Sequence, residues 1–226
     1  MLILIDDAHI EQIKKIYDYY PIHGVTTNPT ILSKVGGNPL DVLREIREFI
    51  GENADLHVQA VSRRAEDIVE EAKYLDDVLG ENTYVKIPAI PEGFKAMKII
   101  AETTEIPFTA TAVYTPMQAF IAGQCGASYV APYVNRIDNM GYDGIRVSME
   151  IQRIFEINEM ETQVLAASFK NSQQVLELCK AGIGAATLAP DVIFSLVKNV
   201  AIDDAVEKFI SDFESFTGKN KTMLDF

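Results

Sequence analysis

The 226-residue chain predicts an α/β fold, a single-domain (β/α)8 TIM barrel with an extra C-terminal helix, and three observations carry that prediction. Short β-rich runs alternate with longer stretches of helical period, the order that builds parallel sheets with helical crossovers. Eight such pairs follow one another at roughly 20–35 residues each, in a chain slightly shorter than the ~250 residues typical of the closed barrel. An open doubly wound sheet is the alternative, but no Gly-x-Gly-x-x-Gly follows the first run and no Gly-Lys-Ser/Thr occurs. No linker, internal repeat or low-complexity block interrupts the pattern, so residues 1–226 read as one domain.

The first β-rich run, at 2–6, leads into helical period at 10–19, and the second, at 24–28, into 39–50. The third and fourth, at 56–60 and 83–88, precede helical patterns at 62–79 and 93–103. The fifth and sixth, at 107–113 and 128–133, precede 116–124 and 144–158. The seventh and eighth, at 163–168 and 184–188, precede 172–180 and 191–198. A further helix at about 203–213 carries Phe209 and Phe213, with Phe216 just beyond, and a polar tail follows. Such a segment, about 201–226, either caps its own barrel or grips a neighbouring subunit.

Composition excludes several function classes. A hydrophobic content of 48% supports a substantial core. Twenty basic against 33 acidic residues give a net charge of -13, which argues against nucleic-acid and anionic-membrane partners. Cys125 and Cys179 lie far apart, so a reducing, cytoplasmic setting is expected. The opening Met-Leu-Ile-Leu-Ile reaches Asp6 and Asp7 without a basic start, unlike a signal peptide, and no apolar stretch has bilayer-spanning length. His9, His23 and His57 lack paired ligand spacing, so no metal is expected.

One residue stands against its surroundings. In Thr83-Tyr-Val-Lys-Ile-Pro-Ala-Ile90, Lys86 sits inside an apolar run, where a desolvated charge costs several kcal/mol unless paired or neutralised. Strand alternation puts Tyr84, Lys86 and Pro88 on one face and Val85 and Ile87 on the other. The aliphatic pair suits the helical shell, which turns Lys86 inward. The same parity groups His57 with Gln59, Thr109 with Thr111, and Tyr129 with Ala131 and Tyr133. It leaves Asp6, Thr26, Asn28, Ala166 and Ser168 at strand carboxyl ends, the face where such barrels place their chemistry. Asp6 and Asn28 also suit helix capping or turns.

Two readings of Lys86 stand side by side. It can be a buried ion-pair partner of Asp6, or a nucleophilic amine that condenses with a carbonyl to form a Schiff base for carbon–carbon cleavage. Only the free amine attacks, and burial lowers lysine pKa values. A water held by Gln59, Thr111 and Tyr133 could move the protons this chemistry requires. Lys170 is the rival nucleophile, placed past a strand end at a helix start. Arg136 offers a fork suited to phosphate, or else a surface ion pair with Asp138 or Asp143. The amides of 182–187 are a second candidate anion site.

Gly24-Val-Thr-Thr-Asn-Pro29, Val85-Lys-Ile-Pro88, Thr111-Ala-Val-Tyr114, Tyr129-Val-Ala-Pro-Tyr-Val-Asn-Arg-Ile-Asp138 and Leu165-Ala-Ala-Ser-Phe-Lys170 together resemble the transaldolase family. Within it, the chain is most similar to the short fructose-6-phosphate aldolase branch, also called transaldolase-like. The resemblance covers nearly the whole chain in unbroken order. It implies that Lys86 forms the Schiff base, that Asp6 assists proton transfer and hydroxyl binding, and that Gln59, Thr111 and Tyr133 hold a catalytic water. It further implies that Asn28 and Ser168, with Thr26 nearby, bind donor hydroxyls and that Arg136 binds the acceptor phosphate. No metal or organic cofactor is implied. Pentameric rings, often paired into decamers, with the last helix reaching a neighbour, are implied for the assembly. True transaldolases resemble this chain but carry glutamate at the place of Gln59 and phenylalanine at the place of Tyr133. The chain departs from the branch at Phe108-Thr-Ala110, where glycine commonly precedes the threonine, and in the length of the 33–39 loop.

The expected activity is a class I aldolase reversibly splitting fructose 6-phosphate into dihydroxyacetone and glyceraldehyde 3-phosphate. The alternatives are a transaldolase that hands the three-carbon unit to another sugar phosphate, and a non-catalytic sugar-phosphate-binding barrel.

Overall fold

The computed structural model describes all 226 residues, which form two compact units, Met1–Ile193 and Phe194–Phe226. In the first unit eight parallel strands close into a barrel in chain order. They are β1 (Leu2–Asp6), β2 (Gly24–Thr26), β3 (Asp55–Gln59), β4 (Thr83–Pro88), β5 (Phe108–Val113), β6 (Tyr129–Pro132), β7 (Gln163–Ala166) and β8 (Ala185–Leu188). The helices up to β8 are α1 (Ile10–Tyr19), α2 (Pro29–Val35), α3 (Pro39–Ile50), α4 (Ala65–Leu79), α5 (Pro91–Thr103), α6 (Pro116–Gln124), α7 (Val134–Asn139), α8 (Gly144–Ile157) and α9 (Ser172–Lys180). After β8 comes α10 (Pro190–Ser195), and the second unit holds α11 (Val200–Thr217). The expected closed (β/α)8 barrel is therefore observed.

Hydrophobic period does not announce α2 and α7, which have seven and six residues and bury too little for a 3.6-residue repeat to show. Local chemistry makes them instead. The Asn28 side chain accepts from Ile31 N at 3.0 Å and Pro29 pre-sets the first turn of α2. Val134 N and Asn135 N donate to the carbonyls of Ala167 and Ser168 at 2.9 and 2.7 Å, which seats the start of α7 beside the end of β7. The second and sixth strands are shorter than the β-rich runs suggest because these turns begin there, and the seventh ends where Ser168 takes a left-handed conformation.

Parity holds inside the barrel except on β7, where Leu165 and Ala167 face the interior in place of Ala166, and Ser168 reaches the cavity only because its left-handed φ of 61° breaks the alternation. The His57 ring stacks on Tyr84 with centroids 4.6 Å apart and meets the edge of Tyr129 at 5.4 Å, while its Nδ1 bonds Thr109 Oγ1 at 2.9 Å. These residues form a plug one inward position below Lys86, since His57 pairs with Tyr84 and Gln59 with Lys86. In β5 the register shifts between Ala110 and Val113, and Ala112 adopts φ 55°, so strict alternation ends after Thr111. Close packing fixes the end of β4: a Cβ on Gly93 would lie 2.0 Å from Pro88 O, so only glycine lets α5 approach the strand that carries Lys86.

The opposite end of the barrel is tied by Arg47, which is 9% exposed. Its guanidinium donates to the carbonyls of Leu79, Gly51 and Ala54 at 3.0, 2.9 and 2.8 Å, and to Thr83 Oγ1 at 3.2 Å. In the second unit, α11 is capped by the Asn199 side chain, runs longer than the expected 203–213, and buries none of its residues. No helix is long and apolar enough to cross a membrane.

Arg47→Met would leave three carbonyls near the start of the strands without their donor. The expected loss is about 3 kcal/mol, or roughly 6–12 °C in the thermal midpoint for a chain of this size, measured by calorimetry or thermal circular dichroism.

Candidate active site

Strand ends and the two short helices converge on a cavity of about 120 Å³ whose lining includes Asp6, Thr26, Asn28, Lys86, Tyr133, Arg136, Ser168 and Thr187. Lys86 reaches it from β4 and is 5% exposed. Its Nζ donates to the carbonyl of Thr27 at 2.7 Å, and it takes part in no ion pair. Burial lowers the Lys86 pKa from its ordinary value, Asp6 opposes that shift, and Arg136 adds to it. Asp6 responds in the other direction: burial raises its pKa, while Lys86 and the Thr26 hydroxyl pull it back.

Hydroxyl contacts order the rest. Thr26 donates to Asp6 Oδ1 at 2.8 Å and meets Thr187 Oγ1 at 2.6 Å. Thr111, fully buried, shares a 2.8 Å hydrogen bond with the Tyr133 phenol. Burial raises the Tyr133 pKa, against the Thr111 bond and the Arg136 charge, so the phenol keeps its proton. Ser168 sits at φ 61°, a left-handed conformation costing about 1 kcal/mol or more in a non-glycine residue. That turn brings Ser168 to the cavity wall after β7 has ended.

Eight of the nine expected site residues cluster in this way. Asp6, Thr26, Asn28, Lys86, Tyr133, Arg136 and Ser168 line the cavity itself, and Thr111 joins through Tyr133. Gln59 is the register partner of Lys86 but lines a separate, mostly apolar cleft of about 440 Å³ with Pro29, Leu32, Val58 and Tyr74. Asn28 is both a cavity residue and the cap of α2, so the two readings of it hold together.

Asp138 accepts from Gly144 N and Gln174 Nε2 at 2.7 Å each, and Asp143 caps α8 through Arg146 N, so neither pairs with Arg136. The Arg136 guanidinium instead lies 4.6 Å from the centroid of the Tyr133 ring. Lys170 is exposed just before the Asn171 cap of α9 and is absent from the cavity lining. The anion site expected from the amides of 182–187 is corrected in part: residues 182–184 precede β8 and so lie at the amino end of the barrel, away from the cavity. Thr187 alone of that stretch reaches the site. Sequence reasoning missed its side chain, although inward parity with Ala185 on the eighth strand would have found it.

The family profile described as Transaldolase/Fructose-6-phosphate aldolase matches residues 3–225. A "Probable transaldolase" from Hydrogenobaculum sp. (strain Y04AAS1) is 37% identical over 219 residues, covering 97% of this chain and 99% of that protein. Solved structures share the fold at low identity. A mandelate racemase/muconate lactonizing protein from Paracoccus denitrificans PD1222 superposes with a TM-score of 0.58 at 14% identity, over 84% of this chain and 55% of that one. A flavocytochrome b2 variant gives a TM-score of 0.56 at 12% identity, over 76% of this chain and 50% of that one, so the chain spans about half the length of both. Those two likenesses concern the barrel alone. The profile match and the 37% identical relative, each spanning nearly the full length, show that the chain belongs to the transaldolase/fructose-6-phosphate aldolase family.

Proposed function

We propose that the protein is a class I aldolase that reversibly cleaves fructose 6-phosphate into dihydroxyacetone and glyceraldehyde 3-phosphate through a Schiff base on Lys86. The observation that carries this reading is a desolvated lysine satisfied by a backbone carbonyl instead of a carboxylate, at the floor of a cavity lined by hydroxyls. In this scheme the free amine adds to the substrate ketone and expels water. Asp6 takes the proton of the hydroxyl next to the breaking bond, and the iminium receives the electron pair. Tyr133 and Thr111 orient the water that returns a proton to the enamine carbon and hydrolyses the adduct, and Gln59, the register partner of Lys86, joins them by turning its side chain out of the apolar cleft. Thr26, Asn28 and Ser168 meet donor hydroxyls, and the unpaired Arg136 meets the phosphate. The cytoplasm is the proposed setting.

A second reading, transfer of the three-carbon unit to another sugar phosphate, is favoured by the name of the Hydrogenobaculum relative. Gln59 and Tyr133, the pair carried by the aldolase branch, favour cleavage.

Borohydride reduction with dihydroxyacetone, followed by peptide mass mapping, is expected to place one adduct on Lys86. Fructose 6-phosphate alone is expected to release free dihydroxyacetone. No adduct, or one on Lys170, would sink the assignment, and strict dependence on an acceptor sugar would select the transferase.

Burial of Lys86 also has a signature in stability. Its pKa is lowered by folding from an ordinary value of 10.5. Between the two values the unfolded chain holds a proton that the native amine releases, so this group makes stability rise with pH. Lys86→Met is therefore expected to abolish adduct formation and to be more stable than the parent at pH 7. The gap should narrow as pH rises toward 10.5, as followed by denaturant melts across pH.

For the assembly we propose a homo-oligomer, a pentameric ring or decamer, using the apolar face of α11. That helix exposes Phe209 and Phe216 at 69% and 77%, and chains in water rarely leave such residues unpartnered. Light scattering is expected to give a multiple of 25.1 kDa, and the double variant Phe209→Glu/Phe216→Glu to give monomers.

A further inference from the structure

Thr187 is a hydroxyl in an otherwise apolar strand, Ala185–Leu188, and it is 3% exposed. A buried hydroxyl is costly unless bonded, and the one partner of this hydroxyl is Thr26, at 2.6 Å. Each hydroxyl carries a single proton. Thr26 donates its own to the Asp6 carboxylate at 2.8 Å, so its oxygen must accept from Thr187. The direction of donation is thereby set from the cavity wall to Asp6. If Asp6 becomes a carboxylic acid, each bond in this line can reverse, and the proton of Thr187 then turns into the cavity that this side chain lines.

We propose that Thr187 and Thr26 form a two-hydroxyl proton relay between the cavity and Asp6, with Thr187 the positioning residue that decides where a proton taken by Asp6 is delivered. The inference rests on the Schiff-base reading, in which Asp6 receives the proton of the substrate hydroxyl during cleavage. Asp6 then donates to Thr26, Thr26 passes its former proton to Thr187, and Thr187 releases its own to a water or hydroxyl in the cavity. Each threonine oxygen gains one proton and loses one, and Asp6 returns to the carboxylate. No oxidant or further reactant is consumed. Distances of 2.8 and 2.6 Å are short enough for both transfers without movement of the backbone.

The groups facing Asp6 leave this route open. Lys86 acts on it from β4, Arg136 from α7, Tyr133 from just past β6, and Asp7 from the next position in the chain. None of them hydrogen-bonds its carboxylate, and the Thr26 hydroxyl does. The raised pKa of Asp6 is consistent with a carboxylate that accepts a proton in turnover.

The test uses the 226-residue chain and the variants Thr187→Val, Thr187→Ser and Thr187→Ala. Steady-state cleavage of fructose 6-phosphate is followed across pH in water and deuterium oxide, beside borohydride trapping with dihydroxyacetone. Thr187→Val keeps the shape and is expected to lower kcat by about 10- to 100-fold, at or below the low end of a general acid–base contribution. KM and the Lys86 adduct should be retained, and the solvent isotope effect and pH profile should change. Thr187→Ser should recover kcat to within about threefold, since it restores the donor alone. Should Thr187→Val fail to fold, Thr187→Ala is read by the same criteria. Parental kcat and pH profile in Thr187→Val would overturn the relay, as would an equal loss in Thr187→Ser. If the parent itself forms no Lys86 adduct, the Schiff-base reading falls and takes the relay with it. An adduct in both proteins with equal rates removes the relay only.

Discussion

The site depends on how one amine is satisfied in a dry place. A carboxylate partner within bonding distance would favour the ammonium form, whereas a neutral carbonyl accepts from charged and uncharged lysine alike. The bond from Lys86 to the Thr27 carbonyl is of the second kind. That carbonyl is itself held, because Thr27 N and Thr27 Oγ1 both donate to His57 O, at 2.9 and 3.1 Å. His57 is fixed in turn by its stack on Tyr84 and its bond to Thr109. A continuous line of contacts therefore runs from the barrel's packed middle to the nitrogen that is proposed to react.

The same line accounts for the electrostatics. Burial alone pushes Lys86 toward the free amine and Asp6 toward the acid, and each moderates the other. Arg136 strengthens the shift in the lysine and opposes it in the acid, from a position where no carboxylate neutralises it. His57, whose pKa lies well below its ordinary value through burial and the neighbouring Lys86, stays neutral and adds no competing charge to the floor of the site. Its Nε2 is buried without a hydrogen-bond partner, a desolvation cost borne inside the stack of His57 on Tyr84. The proposed nucleophile, proton acceptor and phosphate anchor thus arise from one distribution of charge in a poorly solvated volume.

Most of this was legible in the sequence because barrel strands impose a period of two. Parity alone places Lys86, Thr111 and Thr26 inward, and the alternation of strand and helix gives closure. Three features were hidden for physical reasons. Helices α2 and α7 are set by an asparagine cap and by backbone bonds to the two residues after β7, which leave no repeat in hydrophobicity. The bulge at Ala112 occurs in a residue with no preference for positive φ, so no glycine or asparagine marks it. Gln59 has the expected register beside Lys86, yet it lines the apolar cleft, since parity fixes the face of a strand and not the cavity into which a long side chain extends.

Non-glycine residues at positive φ precede β4 and β7 at Asn82 and Glu159, but those that bear on the cavity lie at carboxyl ends. Ala112 and Ser168 take left-handed conformations, β5 shifts register and Tyr133 bridges to Ala167 beyond the end of β6, all at carboxyl ends. At the amino ends the carbonyls are gathered by Arg47 and the interior is filled by Leu4, Tyr129, Leu165 and Ala185. Local strain of this kind persists only where surrounding structure over-determines it. The packed lower half of the barrel supplies that constraint, which lets the upper half hold a lysine without a counter-ion, a serine at positive φ and a line of hydroxyls in fixed order. Stability and the proposed chemistry are therefore divided between the two ends of the same eight strands, with the His57 layer packed between them.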